Sequence, residues 1–304
     1  MQGKKKTGSL KKDKRYFMLF SGISLLGFML FYLYPIVRTL MLSFTNRTLF
    51  SLSTEYVGME NYIYALSKDP LFFHSIRLSL VFASVSGLLV LMTALMLAML
   101  MNTQVRFIGV FRVIYFLPFI IPSFAVGAVY KNMFDPTTGA INRLFEVFGF
   151  DTISLWHLSP ESALMTMILI SGFGFGVKML VFLAALQGIP RELYEAAQMD
   201  GASKTRQFYN ITLPLISPML FFNVILITID GLKAFNLAFV MGNGEGFPAN
   251  STLLFPIYMF VTAFNMPFEL GYAAAMAWIF FLIILALTGM HFLLSRYYVQ
   301  KDIV

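Results

Sequence analysis

Three ionisable side chains stand inside otherwise apolar runs: Lys178 within residues 163–186, and Asp230 and Lys233 within residues 215–240. A charge at the centre of a bilayer costs about 2.5–3.5 kcal/mol on insertion scales, so such groups are expected to face a cavity or a partner. Asp230 and Lys233 are three apart, which fits one helical face and predicts mutual neutralisation. Lys178 has no acidic neighbour in its own segment, leaving it either on a pathway or paired with another helix or chain. Bond-making chemistry is poorly represented. His74, His157 and His291 are far apart, and none belongs to an H-E-x-x-H pair, so each reads as a polar boundary residue. The absence of cysteine excludes disulfides, thiolate metal sites and cysteine nucleophiles. Gly172, Gly174 and Gly176 fail the dinucleotide pattern, which needs a further glycine at Val177, and no Gly-Lys is followed by Ser or Thr at P-loop spacing. Small residues in a span favour close helix packing, with a broken helix lining a pathway as the second reading. No catalytic residue and no metal site is expected.

The elements that must position these charges are membrane spans. Of 304 residues, 58% are hydrophobic and 12% charged, with 34 Phe and a mean hydropathy of +0.76, which excludes an ordinary soluble domain. A basic head, Lys4, Lys5, Lys6, Lys11, Lys12, Lys14 and Arg15, precedes an apolar run over 17–34 that is long enough to span and lacks a clear small-residue cleavage site. Further runs at 78–101, 108–130, 163–186, 215–240 and 272–294 give six spans, with both termini on one side. Arg106, Arg112, Arg191, Lys204, Arg206, Arg296 and Lys301 then fall with the basic head on the cytoplasmic side. Acidic residues, among them Glu55, Glu60, Asp69, Asp135 and Asp151, accompany the basic ones on the other. The net charge of +7 is thus read as membrane orientation, and nucleic acid is not expected. Residues 252–264 are apolar but too short for a span, and read as re-entrant or interfacial.

The longest polar interruption of the second half, residues 189–218, predicts two short helices and a turn. Pro190 suits a first helical position and Glu192 and Glu195 the positive helix end, giving a helix over 190–199. Asp200-Gly201 ends it, Ser203 caps a second helix toward Phe208, and Pro214 marks the entry to the next span. Glu195-Ala196-Ala197, Asp200-Gly201-Ala202, Phe208, Ile211, Leu213-Pro214 and Pro218 resemble the EAA loop of permease subunits in bacterial ATP-binding-cassette (ABC) importers of the carbohydrate-uptake branch. Shorter matches run in the family's order: Tyr34-Pro35, Ser43-Phe44, Val57-Gly58 and Asn61-Tyr62 resemble the first span and following loop of MalF-type permeases. Gly271-Tyr272-Ala273-Ala274-Ala275 resembles the start of their last span. Gly242 to Pro248 departs from the family's compact Gly-Gly-Pro turn.

The resemblance implies an all-α membrane protein with six transmembrane helices and a type I importer permease fold. Its parts would be a basic cytoplasmic N-terminus (1–16), a first span and outer loop (17–75), a five-span core (76–296) containing the coupling loop (189–218), and a cytoplasmic C-terminus (297–304). It also implies a multi-pass protein of a bacterial cytoplasmic membrane, working with a second related permease, two ATPase subunits that hold ATP and magnesium, and an extracytoplasmic solute-binding protein. No cofactor is expected in this chain. Sugar recognition needs polar groups matched to hydroxyls and flat aromatic faces, which adds Phe235 and Asn236 to Lys178, Asp230 and Lys233 as pathway candidates. Two alternatives stay open: an anionic solute, suggested by Lys178 and Lys233, and a self-sufficient channel or secondary transporter.

Overall fold

The structure is a computed structural model that describes residues 16, 21–51, 53–103, 107–149, 156–267 and 269–298. The basic residues of the N-terminal head, Arg106, Asp151 and Lys301 lie outside the described residues. Among the described residues the fold is all α, with one isolated antiparallel bridge, Thr45–Tyr56. In chain order the helices are α1 Ser21–Leu42, α2 Glu60–Ser67, α3 Pro70–Met101, α4 Ile108–Ile120, α5 Ser123–Met133, α6 Ala140–Val147 and α7 Ala163–Ser171. They continue as α8 Gly176–Gln187, α9 Arg191–Met199, α10 Lys204–Gln207, α11 Ser217–Leu232, α12 Asn236–Met241, α13 Phe255–Phe264 and α14 Leu270–Tyr298.

Four segments are long and apolar enough to cross a membrane, and two bent pairs raise the number to six if each pair is one span. The expected single helix over 108–130 is instead α4 and α5, bent by 98°. Its cause is local: Pro122 lacks an N–H and disfavours helical backbone at the residue before it, and Ile121 accordingly takes ψ 134°. The run over 163–186 is likewise two helices, α7 and α8, bent by 41° across residues 172–175. Residues 255–264 form one helix of ten residues, too short to cross.

The chain folds as two units. The first comprises the described residues among 1–67 and 262–279. Here the motif residues that look weak one by one meet. Asn61 Nδ2 donates to the carbonyls of Ser43 (2.8 Å) and Thr45 (2.9 Å). The Ser43 hydroxyl lies 2.7 Å from the Tyr62 hydroxyl, and Val57 N–H donates to Phe44 C=O. Gly271 N–H donates to Arg47 C=O at 2.9 Å, and a Cβ there would run into the Thr45 carbonyl. Only glycine admits this approach.

The second unit comprises the described residues among 68–261 and 280–304. Its backbone is α3, 32 residues long, capped by Asp69, which accepts from Leu71 N–H and also from the Tyr258 hydroxyl at 2.6 Å. Two apolar cores pack against α3. One, nearer the loop 190–214, contains Val90, Ala94, Ala98, Met179, Phe182, Leu186 and Ile216. The other contains Phe82, Phe134, Trp156, Met167, Met241, Leu254 and Ile257. Near the second core, Asp135 caps a turn by accepting from the N–H and hydroxyl groups of Thr137 and Thr138, which hold its carboxyl well below the usual range. His157 is buried beside Trp156; burial first, and the Lys131 charge second, push its imidazole below the ordinary value. The departing loop at 242–248 still closes compactly: Phe247 N–H donates to Gly242 C=O, and Gly244 and Gly246 take φ of +78° and +82°.

The motif cluster of the first unit generates a test. Gly271→Ala forces the Thr45 carbonyl aside and lowers stability by about 1–3 kcal/mol, the usual cost of overpacking. Gly22→Ala, in helix α1 and with an added Cβ that meets nothing within 4 Å, does not lower it. Thermal unfolding of the detergent-solubilised protein checks both; equal midpoints for the two variants would refute the role assigned to Gly271.

Candidate functional site

Helix packing sets the first part of the site. A Cβ on Gly231 would lie 2.9 Å from Ala83 Cα, and one on Gly87 would lie 2.8 Å from Ile227 Cγ2, so small residues bring α3 and α11 together. A Cβ on Gly172 would lie 2.6 Å from Leu89 Cδ2, so the glycine run also serves close packing, but it ends α7 as well. Gly172 thus serves packing against α3, while Gly174 lies in the break between α7 and α8 and borders a neighbouring cleft.

Between these helices lies a cleft of about 460 Å³ lined by all five pathway candidates, Lys178, Asp230, Lys233, Phe235 and Asn236. The hydroxyls of Ser86, Ser123 and Ser171 and the backbone at Gly174 line it too. Sequence reasoning missed these, because serines that bond their own helix carbonyls, as Ser86 does to Phe82 and Ser171 to Ile168, carry no distinguishing pattern. Asn236 Nδ2 donates to Ser123 Oγ, tying α12 to α5. Phe235 packs against Phe239 and Phe260, with ring centroids 5.4 and 5.5 Å apart, so it borders the cleft from within an aromatic cluster.

The charges pair otherwise than the spacing suggests. Lys178 Nζ, on α8, donates to Asp230 Oδ2, on α11, at 2.7 Å; the side chains are 15% and 62% exposed. Asp230 and Lys233 do not neutralise each other. The physical reason is that α11 stops at Leu232 and Lys233 is already its C-cap, with φ −87° and ψ 9°, so the uninterrupted helical face the i,i+3 pairing needs is missing. Lys233 is exposed and makes no salt bridge among the described residues.

The second part is the loop after α8. Helix α9 begins one residue later than expected, with Pro190 at the N-cap position, and carries Glu192 in its first turn. Its end is a full Schellman motif: Ala202 N–H donates to Ala197 C=O at 2.9 Å and Gly201 N–H to Gln198 C=O at 3.0 Å, with Gly201 at φ +74°. Ser203 Oγ then accepts from Arg206 N–H, starting α10, which continues through a π turn, Phe208–Thr212, to Leu213 and Pro214. Two buttresses went unread in the sequence. Tyr194 Oη lies 2.8 Å from Thr212 Oγ1, and buried Gln207 donates to Ala202 C=O. With Tyr194 turned inward, Glu192, Glu195, Ala196 and Met199 form an exposed stripe at i, i+3, i+4 and i+7, and Met199 is 89% exposed. Helix-in-groove recognition reads side chains at this i, i+3, i+4, i+7 spacing. The histidines stand apart from both parts: His74 lies 3.1 Å from Asn250 C=O and His291 3.2 Å from Thr228 Oγ1.

Comparison with known proteins follows this geometry. Residues 90–299 match the family described as "Binding-protein-dependent transport system inner membrane component". The "Probable ABC transporter permease protein YesP" of Bacillus subtilis is 36% identical, over 98% of this chain and 96% of that protein. The "Lactose transport system permease protein LacF" of Rhizobium radiobacter is 31% identical, over 95% of this chain and 98% of that one. A chain from the crystal structure of a bacterial alginate ABC transporter, in complex with an alginate pentasaccharide-bound periplasmic protein, has the same fold. Its TM-score is 0.80 at 20% identity, over 96% of this chain and 99% of that one.

The cross-helix pairing is testable by a double-mutant cycle. Lys178→Met and Asp230→Asn are expected to couple by about 1 kcal/mol in denaturation free energy, the upper end for a partly exposed pair. Asp230→Asn and Lys233→Met should add within experimental error; substantial coupling there would overturn the assignment.

Proposed function

The chain belongs to the family of inner-membrane components of binding-protein-dependent transport systems, and from that premise we propose that it imports a saccharide through the cleft around Lys178 and Asp230. It is a multi-pass ABC importer permease, not an ATPase. That assignment removes the self-sufficient channel from consideration. The observation that carries the mechanism is the exposed stripe Glu192, Glu195, Ala196 and Met199, held on a closed turn directly after α8.

In this reading the loop lies in the cytoplasm, with both termini, and docks on one of two ATPase subunits that hold ATP and magnesium; the chain itself carries no cofactor. A second, related permease completes the pathway, and an extracytoplasmic binding protein delivers the solute. Closure of the ATPases displaces α9, and the spans move between arrangements open to either side. A saccharide is favoured because relatives are named for lactose and for arabinooligosaccharides, the latter 29% identical over 89% of this chain. The cleft also supplies hydroxyls, an amide and an aromatic edge.

One observation favours an acidic saccharide as a second reading. Lys178 is neutralised by Asp230, whereas Lys233 brings an exposed cation to the same cleft.

The tests separate coupling from substrate. A mild-detergent pull-down from the native membrane should recover an ATPase and a second permease. Gly201→Val places a β-branched residue at φ +74°, where left-handed backbone costs an L-residue about 1–2 kcal/mol, and should weaken uptake and substrate-stimulated ATPase activity together. Recovery of the chain alone, or normal uptake by the variant, would count against the mechanism. Lys233→Met should reduce uptake of an acidic oligosaccharide and spare a neutral one of equal length; no change in preference removes the second reading.

A further inference from the structure

Asn223 has no role in the cleft, yet its surroundings are unusual. It lies on α11, is fully buried, and neither its Oδ1 nor its Nδ2 has a hydrogen-bond partner. Asn223, Ile227 and Asp230 follow i, i+4, i+7 spacing and share one face of the helix. Ile227 and Asp230 on that face line the cleft. Seven residues separate Asn223 from Asp230, which places it roughly 10 Å along α11 toward the loop end. Ile216 and Ile227, on either side of it in sequence, belong to the apolar core shared with Val90, Ala94 and Met179. An amide buried without partners is costly, and a leucine of similar size would fill the position without that cost. A different arrangement of the same helices would give the group partners that this one withholds.

We propose that Asn223 is a second hydrogen-bonding station for saccharide hydroxyls, reached from the cleft when the loop ends of α3, α8 and α11 separate. Its amide offers one acceptor oxygen and two N–H donors, matching a sugar hydroxyl that both donates and accepts. The proposal rests on the permease reading given above. The closed state leaves the station dry and unpaired, and the opened state hydrates it and presents it to the solute.

The chain has no cysteine, so a thiol can be introduced at one position against a silent background. Asn223→Cys in the assembled transporter, in membrane vesicles, is treated with ethylammonium methanethiosulfonate without nucleotide and with trapped ATP, and modification is read on this chain. The thiol should react roughly tenfold faster or more in one state than in the other, as expected when access follows a conformational equilibrium. Asn236→Cys, in the cleft, serves as the control. Protection of residue 223 in both states, with state-dependent labelling at 236, overturns the proposal and leaves the permease reading intact. Loss of state dependence at both positions overturns both, and equal reaction at 223 in both states overturns the station alone. Asn223→Leu should assemble with its partners while uptake falls severalfold; full uptake by that variant also overturns the proposal.

Discussion

Inside a bilayer every backbone polar group must be satisfied within the protein, and interrupted helices are tolerated only where they are buried or line a polar cavity. The second unit is arranged around that constraint. Its α4–α5, α7–α8 and α11–α12 runs break at residues 121–122, 172–175 and 233–235. All three breaks contribute to one cleft, through Ser123, through Ser171 and Gly174, and through Lys233, Ala234 and Phe235. The ion pair Lys178–Asp230 and the Asn236–Ser123 hydrogen bond occupy the same place. A cleft assembled beside helix interruptions thus gathers backbone dipoles, charges and hydroxyl-bearing side chains in one place.

Much of this was legible in the sequence, for identifiable reasons. Hydropathy located the spans because a span needs a long apolar run whatever its neighbours do. The Asp200-Gly201 signal located a helix end because a left-handed residue at that position is a local requirement, and φ +74° meets it. The five pathway candidates, three taken as charges inside apolar runs and Phe235 and Asn236 added for what sugar recognition needs, line one cleft. What failed depended on tertiary partners or on a break inside an apolar run. Lys178 finds Asp230 across 52 positions of sequence, and the apparent partner of Asp230, three residues away, lies beyond the helix end. The 98° bend was signalled only by Pro122, in a run whose composition reads as one continuous span. Asn223 was invisible because one amide in an apolar helix has no pattern; only its burial and missing partners mark it.

The two apolar cores of the second unit differ in what they hold. The one containing Phe134, Trp156 and Met241 is rich in ring contacts, including Phe134 against Trp156 at 4.9 Å, and ties the loop after α12 to the α5–α7 region. The other is built from aliphatic and small residues of α3, α8 and α11, with Ala94 and Ala98 on α3 letting helices approach closely. The cleft takes wall residues from both, Phe82 from the first and Val90 and Ile227 from the second. The cleft thus lies where the two cores meet along α3, beside the close approach of α3 and α11 at Gly87 and Gly231.

The exposed loop is tied directly to a helix that lines the cleft. Helix α9 is not a free appendage: Tyr194 bonds Thr212, and the Schellman closure fixes its angle to α10. Thr212 C=O in turn accepts from Ile216 N–H, on the residue that precedes α11. The stripe Glu192 to Met199 is therefore one side-chain contact and one helical turn away from a 16-residue helix about 24 Å long, near whose far end Asp230 sits. Close packing makes such a helix move as a body rather than bend. A displacement of α11 against α8 that broke the 2.7 Å contact with Lys178 would leave both charges in the cleft unpaired.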